Sequence, residues 1–343
     1  MFHIGCACRL TRRAALAGLG AALATPAAPA LAAATADGLI DVHHHLSPPG
    51  YVARIGRRTR LLPLVTDWTP EASIADMDRA GVAASILSIP TPGLCFGDVA
   101  ETRAVARASN EYAADLVRRY PGRFGSFATL PLPDVDGTLA EISYALDTLK
   151  ADGVMTFTSY EGAWLGDPKF APVMEELNRR KAVLYTHPAG NQCCVNLLPG
   201  VPDTVVEYGT DTTRTIASLV FNGASSRYPG IRFIFSHAGG TAPYLMERFR
   251  FLAASPANAG RFPDGVDAEL RRFYYDTAQA FDPVTMAGLR RMVPASQIVF
   301  GTDYPYRTAA EHVAGLSRLD LPRQEMAAIG RGNALGLLPR LAS

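Results

Sequence analysis

Cysteine is scarce in this chain, at five residues in 343, and two of the five, Cys6 and Cys8, lie in its first stretch. Cys95, Cys193 and Cys194 remain, an odd number with one vicinal pair, too few for the multi-bridge framework that stabilises small secreted domains. A bridge from Cys95 is open but not predicted. Excess charge of either sign is missing too: 33 basic residues face 32 acidic ones, a net of +1. Residues 1–36 hold Arg9, Arg12 and Arg13 and no acidic residue, so residues 37–343 carry 30 basic and 32 acidic groups, a net of −2. That balance gives no electrostatic attraction to nucleic-acid phosphates or to an anionic membrane surface. Long apolar runs are also absent, because Pro26 and Pro29 break the N-terminal Ala/Gly/Leu run before it reaches bilayer length. What is present is a composition 48% hydrophobic, with 15 Phe and 13 Tyr, enough to fill a large core and too apolar for a disordered chain.

The N-terminus has a separate task. Thr11-Arg12-Arg13-Ala14-Ala15-Leu16 precedes the mildly apolar run, and Ala30-Leu31-Ala32 supplies the small-residue pattern that a signal peptidase cuts. Residues 1–36 read as an export signal of twin-arginine type, a route for proteins already folded, which places the mature protein in the periplasm with no membrane association.

From residue 37 onward, short β-rich runs alternate with longer helical patterns, the signature of βα units around a parallel sheet. Strands are predicted at Leu39–His43, Val82–Ile89, Arg123–Leu130, Gly153–Thr158, Ala182–His187, Ile231–Ser236, Arg272–Asp276 and Gln297–Thr302. Helices are predicted at Pro70–Arg79, Ala100–Arg119, Thr138–Leu149, Pro168–Arg180, Thr212–Ser225 and Asp282–Met292. Eight such units in about 300 residues point to one α/β domain, a (β/α)₈ TIM barrel spanning 37–343, with a doubly wound sheet as the alternative. Two stretches rich in proline or glycine look like excursions: Leu46–Trp68, a short insertion after the first strand, and Pro188–Tyr208 after the fifth. In a barrel both lie on the catalytic face.

The chemistry sits at strand ends. In Asp41-Val42-His43-His44-His45 an extended chain sends His43 and His45 to one side and His44 to the other. Two imidazoles on one side can share an ion. His187 ends the fifth predicted strand, His237 follows the sixth and Asp303 follows the eighth. In a barrel those ends converge on one mouth, so residues far apart in sequence reach one ion. Taken singly, each has an ordinary alternative: a buried hydrogen-bonded histidine, or an aspartate capping the next helix. Independent structural residues have no reason to select the same end of different strands. His3 and His312 receive the ordinary reading.

This constellation resembles the amidohydrolase superfamily, and within it the aminocarboxymuconate-semialdehyde decarboxylase-like branch, close to sequences similar to 6-methylsalicylate decarboxylase. The resemblance covers essentially all of 37–343 and includes Phe127-Ala128-Thr129-Leu130-Pro131-Leu132-Pro133, Ser236-His237-Ala238-Gly239-Gly240 and Arg331-Gly332-Asn333-Ala334. It implies that His43, His45, His187 and Asp303 hold one divalent ion, zinc or else manganese, while His237 and Asp303 are catalytic. The fourth strand ends at Thr156-Phe157-Thr158 without the bridging lysine of two-metal relatives, which implies a mononuclear site. Arg248, eleven positions after His237, corresponds to an arginine that can bind substrate carboxylate in a neighbouring subunit, implying a homodimer; a surface salt bridge is the alternative. Arg54, Arg57, Arg58 and Arg60 are further candidate anion clamps, and Phe157, Trp164, Phe281 and Tyr304 candidate apolar walls.

The expected activity is non-oxidative decarboxylation of a hydroxylated aromatic or unsaturated carboxylic acid. The ion chelates carboxylate and hydroxyl, and Asp303 or His237 protonates the carbon that bears the carboxylate. The rival is hydrolysis of a lactone or amide by an ion-activated water at the same site, and a non-catalytic binding protein is a third reading.

Overall fold

The β-branched and aromatic runs form strands with near-continuous burial, as a parallel sheet covered on both faces requires. The computed structural model describes residues 37–94 and 97–342; the export reading of 1–36, and Cys95, lie outside the described residues. The barrel strands are β1 Leu39–His45, β2 Val82–Ser88, β3 Phe124–Thr129, β4 Gly153–Phe157, β5 Val183–His187, β6 Arg232–Phe235, β7 Tyr274–Asp276 and β8 Ile298–Val299. They pair in sequence order, and every adjacent pair is parallel. Closure comes from β1 meeting the segment after β8: Val42 N donates to Phe300 O at 3.0 Å, Asp303 N to His43 O at 2.8 Å and His45 N to Tyr304 O at 2.7 Å. The doubly wound alternative is thereby removed.

Strand β8 is shorter than predicted, because Phe300 N turns away to Ile329 O at 3.0 Å. Gly301 follows, where a Cβ would stand 2.9 Å from the Cβ of His43 and 3.0 Å from that of Asp276. Only glycine allows β1, β7 and the end of β8 to approach this closely.

The outer helices are α1 Pro70–Ala80, α2 Val99–Arg119, α3 Val135–Ser143, α4 Ala171–Arg180, α5 Asp203–Phe221, α6 Met246–Ala253, α7 Pro283–Met292 and α8 Ala309–Ser317. Two depart from prediction. Asp134 caps α3 by accepting from Gly137 N at 3.2 Å, so the helix starts three residues early and runs into a π-helical turn at Tyr144–Thr148. Helix α5 starts nine residues early, with Pro202 before it and Asp203 in its first turn, so the end of the second excursion is helical.

Both excursions reach the C-terminal face of the barrel. The first contains two short helices, Pro49–Ile55 and Pro63–Thr66, and the second a 3₁₀ turn at Gln192–Cys194. Cys193 and Cys194 are joined to each other in a vicinal disulfide. Among the described residues, no helix is long and apolar enough to cross a membrane.

Candidate metal centre

Strand alternation sends His43 and His45 to the barrel mouth and His44 outward, as the pattern requires. His44 Nδ1 lies 3.0 Å from Asp41 Oδ2, its Nε2 lies 3.0 Å from Ser73 Oγ, and its ring stacks on Tyr304 at 4.6 Å. At the mouth, one donor atom each from His43, His187, His237 and Asp303 lies within 4.8 Å of the others. Among the described residues this is the one such group. His45 adjoins it: its Nε2 is 3.0 Å from Asp303 Oδ1, and its ring centroid is 4.9 Å from that of His187.

The ring orientations are fixed from behind. His43 Nδ1 faces Asp276 Oδ2 at 2.8 Å, His45 Nδ1 faces Ser88 O at 3.3 Å, His187 Nδ1 faces Pro188 O at 2.7 Å and His237 Nδ1 faces Ala278 O at 3.1 Å. Carbonyl and carboxylate oxygens only accept, so each Nδ1 donates and each Nε2 is directed to the interior of the site. The Nε2 atoms of His43 and His187 are buried without a hydrogen-bond partner. They stand 3.1 Å and 3.8 Å from Asp303 Oδ1. Buried orphan nitrogens converging on one carboxylate are costly unless something else ligates them, and imidazole plus carboxylate is a donor set for a divalent ion.

The electrostatics agree. Burial lowers the basicity of His187 to a pKa of about 3, and also lowers His45 and His237, so all three present neutral rings. His43 is the exception: burial opposes its charge, but Asp276 and Asp303 on either side outweigh that and raise it to about 10. Burial also opposes the charge of Asp303, yet His43 and the other imidazoles hold its carboxyl well below the usual range. The two carboxylates thus favour positive charge between them, while the other three imidazoles offer neutral nitrogens.

Three of the residues around this centre have left-handed backbones: His237 at φ 52°, Gln279 at 53° and Asp303 at 63°. Such conformations cost on the order of 1–3 kcal/mol each and persist only when their surroundings enforce them. Each backbone N–H is held: His237 N donates to Asp276 Oδ1 at 2.8 Å, Gln279 N to His312 Nε2 at 2.9 Å and Asp303 N to His43 O at 2.8 Å. His312 is therefore structural, as expected, but in the service of the site.

Asp276 and Gln279 were not singled out in the sequence. Asp276 ends β7 and its oxygens accept four bonds, from His43 Nδ1, Tyr185 Oη at 3.1 Å, His237 N and Ala278 N at 2.9 Å. Gln279 Nε2 donates to Asp303 Oδ2. Aspartate at a strand's C-terminal end was the available signal for Asp276, the same one that marked Asp303.

Above the cluster opens a cavity of about 760 Å³ that reaches His187, His237 and Asp303. Tyr208, Tyr306 and Thr91 also line it, and burial pushes the phenol of Tyr306 up to about 12, so it stays protonated. None of the four expected aromatic walls lines it. Phe157 is core, Trp164 Nε1 donates to Asp211 Oδ1 at 2.7 Å, Phe281 packs on His312 and Tyr304 on His44. Of the candidate clamps, Arg60 lines the cavity, whereas Arg54 and Arg58 pair with Glu101. Arg248 is exposed on α6, makes no ion pair among the described residues and does not line this chain's cavity.

A family model for amidohydrolases matches residues 40–340. The chain belongs to the amidohydrolase family. It is 35% identical over 322 residues to the decarboxylase yanB of Aspergillus niger, covering 88% of this chain and 87% of that protein. It is 34% identical over 312 residues to a 6-methylsalicylic acid decarboxylase of Penicillium expansum, covering 88% and 96%. A crystal structure of an amidohydrolase II superposes with a TM-score of 0.81 at 28% identity, covering 88% of this chain and 99% of that one.

Proposed function

We propose that this chain is a metal-dependent, non-oxidative decarboxylase of hydroxylated aromatic acids. The observation that carries the reading is the convergence of His43, His187, His237 and Asp303 at the floor of one cavity, with two unpartnered Nε2 atoms turned inward. His43, His45, His187 and Asp303 are the proposed ligands of one zinc ion, with manganese as the alternative. The ion supplies a Lewis acid and a template for the substrate's carboxylate and neighbouring hydroxyl.

The protein's own groups do the rest. Asp303 is ionised in the free enzyme, so it takes up the proton that the substrate's hydroxyl releases on binding. It passes that proton to the ring carbon bearing the carboxylate; the carbon–carboxylate bond then breaks, its electron pair restores the ring and carbon dioxide leaves. Gln279 Nε2 holds Asp303 Oδ2 in place. His237, with Nδ1 donating to Ala278 O, keeps an unprotonated Nε2 toward the reacting atoms. Tyr208 and Tyr306 add protonated hydroxyls on the cavity wall.

Zinc-loaded or manganese-loaded protein incubated with 6-methylsalicylate in D₂O is expected to release carbon dioxide and leave one deuterium at the vacated carbon. Conversion of lactones to acids with no gas evolved from any salicylate would replace this reading with the hydrolase. We also propose a homodimer in which Arg248 serves the partner's cavity, supported by the exposure of Tyr244 at 89% and Phe251 at 81% beside it. Light scattering that finds a monomer at assay concentration, or an Arg248→Ala protein with unchanged KM, would end that proposal.

A further inference from the structure

The cavity is larger than one aromatic ring requires. It measures about 760 Å³, whereas an enclosed space of roughly 150 Å³ holds benzene. Pockets of roughly 300–1,000 Å³ serve ligands of drug size. Its two ends also differ in chemistry. The floor is His187, His237, Gln279 and Asp303, which suits a carboxylate and a hydroxyl. The way outward carries an aliphatic strip, Leu61, Leu62 and Val65 from the excursion after β1 and Val205 from the first turn of α5, set among Thr59, Thr204 and two arginines.

Two residues of that strip reach solvent. Leu62 is 54% exposed and Val205 67%. Of the twelve large apolar side chains exposed among the described residues, seven belong to the two excursions: Leu62, and six between Val195 and Val206. Scattered surface leucines and valines need no explanation, but Leu62 and Val205, exposed and lining a cavity with a polar floor, do. A single-ring acid with one methyl group would occupy the floor and leave this wall wet.

We propose that the substrate carries, on the ring and away from its carboxylate, an alkyl chain several carbons long that lies along Leu61, Leu62, Val65 and Val205. This rests on the decarboxylase reading and narrows its substrate class to long-chain alkyl salicylates and their like. Arg60 and Arg307 also border the cavity, with Arg307 Nε 3.5 Å from Glu311, so an anionic chain end is the competing ligand chemistry.

The test is a chain-length series on the metal-loaded full chain, measuring kcat/KM for 6-methyl-, 6-propyl-, 6-pentyl- and 6-(5-carboxypentyl)-salicylate. Burying one methylene is worth about fourfold. The expected result is a rise of at least about tenfold from methyl to pentyl, carried mainly by KM, because chain contacts are the same in ground and transition states. In a Leu62→Asp/Val205→Asp protein the pentyl-to-methyl ratio is expected to fall at least about fivefold. That ratio is taken on one preparation and does not depend on how much of the variant folds. A flat or falling series, a carboxypentyl substrate that exceeds pentyl, or an unchanged ratio in the variant overturns the inference while leaving decarboxylation of 6-methylsalicylate intact. Absence of carbon dioxide from every member overturns the decarboxylase reading, and this inference with it.

Discussion

An Asp303→Asn protein is expected to fold but to turn over roughly 10⁴-fold more slowly at saturating metal, since acid–base catalysis alone contributes about 10²–10⁴-fold and a charged ligand is lost as well. The substitution keeps the shape and removes the property on which each neighbour depends. Oδ1 lies within 3.1 Å of the Nε2 atoms of both His43 and His45, and Oδ2 accepts from Gln279. An amide NH₂ in place of Oδ2 points hydrogens at the Gln279 donor, and in place of Oδ1 it removes the anionic oxygen among the imidazoles. It also cannot carry the transferred proton. The His237→Gln protein is the informative comparison: it is expected to retain about one ion per chain and lose turnover about 10²–10³-fold, whereas His45→Gln loses the ion. Elemental analysis beside kcat separates the three. An Asp303→Asn protein that holds its ion and works within tenfold of the parent removes Asp303 from the chemistry.

The site was legible in the sequence wherever position along a strand decided the outcome. Alternation separated His44 from His43 and His45, and the rule that catalytic residues follow barrel strands selected His187, His237 and Asp303. The excursions were legible as interruptions of the βα rhythm, and both border the cavity. What could not be read depends on closure. Asp276 matters because β7 and β1 are brought together at Gly301, a contact between residues 233 positions apart. The cavity walls follow from the early start of α5, which carries Val205 and Tyr208 over the mouth, while Phe157 is core and Trp164 is tied to Asp211. Large aromatic side chains bury more area in a core than at a wet rim, so their presence near strand ends did not mark a pocket.

Asp276 is the other position at which one atom exchange has a large effect. As aspartate it accepts four bonds in a fully buried setting, and its charge keeps a proton on His43 Nδ1, which leaves Nε2 as the atom to face an ion. Asparagine retains one acceptor oxygen, and its amide hydrogens meet either the His43 and Tyr185 donors or the N–H groups of His237 and Ala278. In the first orientation His43 would escape the conflict by carrying its proton on Nε2, the atom that would otherwise ligate; in the second the backbone that sets His237 loses its acceptor. Where a buried carboxylate sets the tautomer of a catalytic imidazole, its replacement by an amide costs roughly 10⁴-fold in rate, and outer partners of metal ligands are worth about 10–100-fold in affinity. Asp276→Asn is therefore expected to bind metal about 10–100-fold more weakly, and saturating metal is expected to restore its turnover only in part. Loss of stability alone does not mimic this. Asp211, equally buried, accepts from Thr158, Ser159 and Trp164 and touches no proposed ligand. An Asp211→Asn protein is expected to melt at lower temperature with its metal affinity within about threefold of the parent, because disrupting a buried network away from the ligands costs stability and not ligation. Equal metal affinity in Asp276→Asn and the parent, measured by competition with a chelator, would mean that His43 is held by something other than this carboxylate.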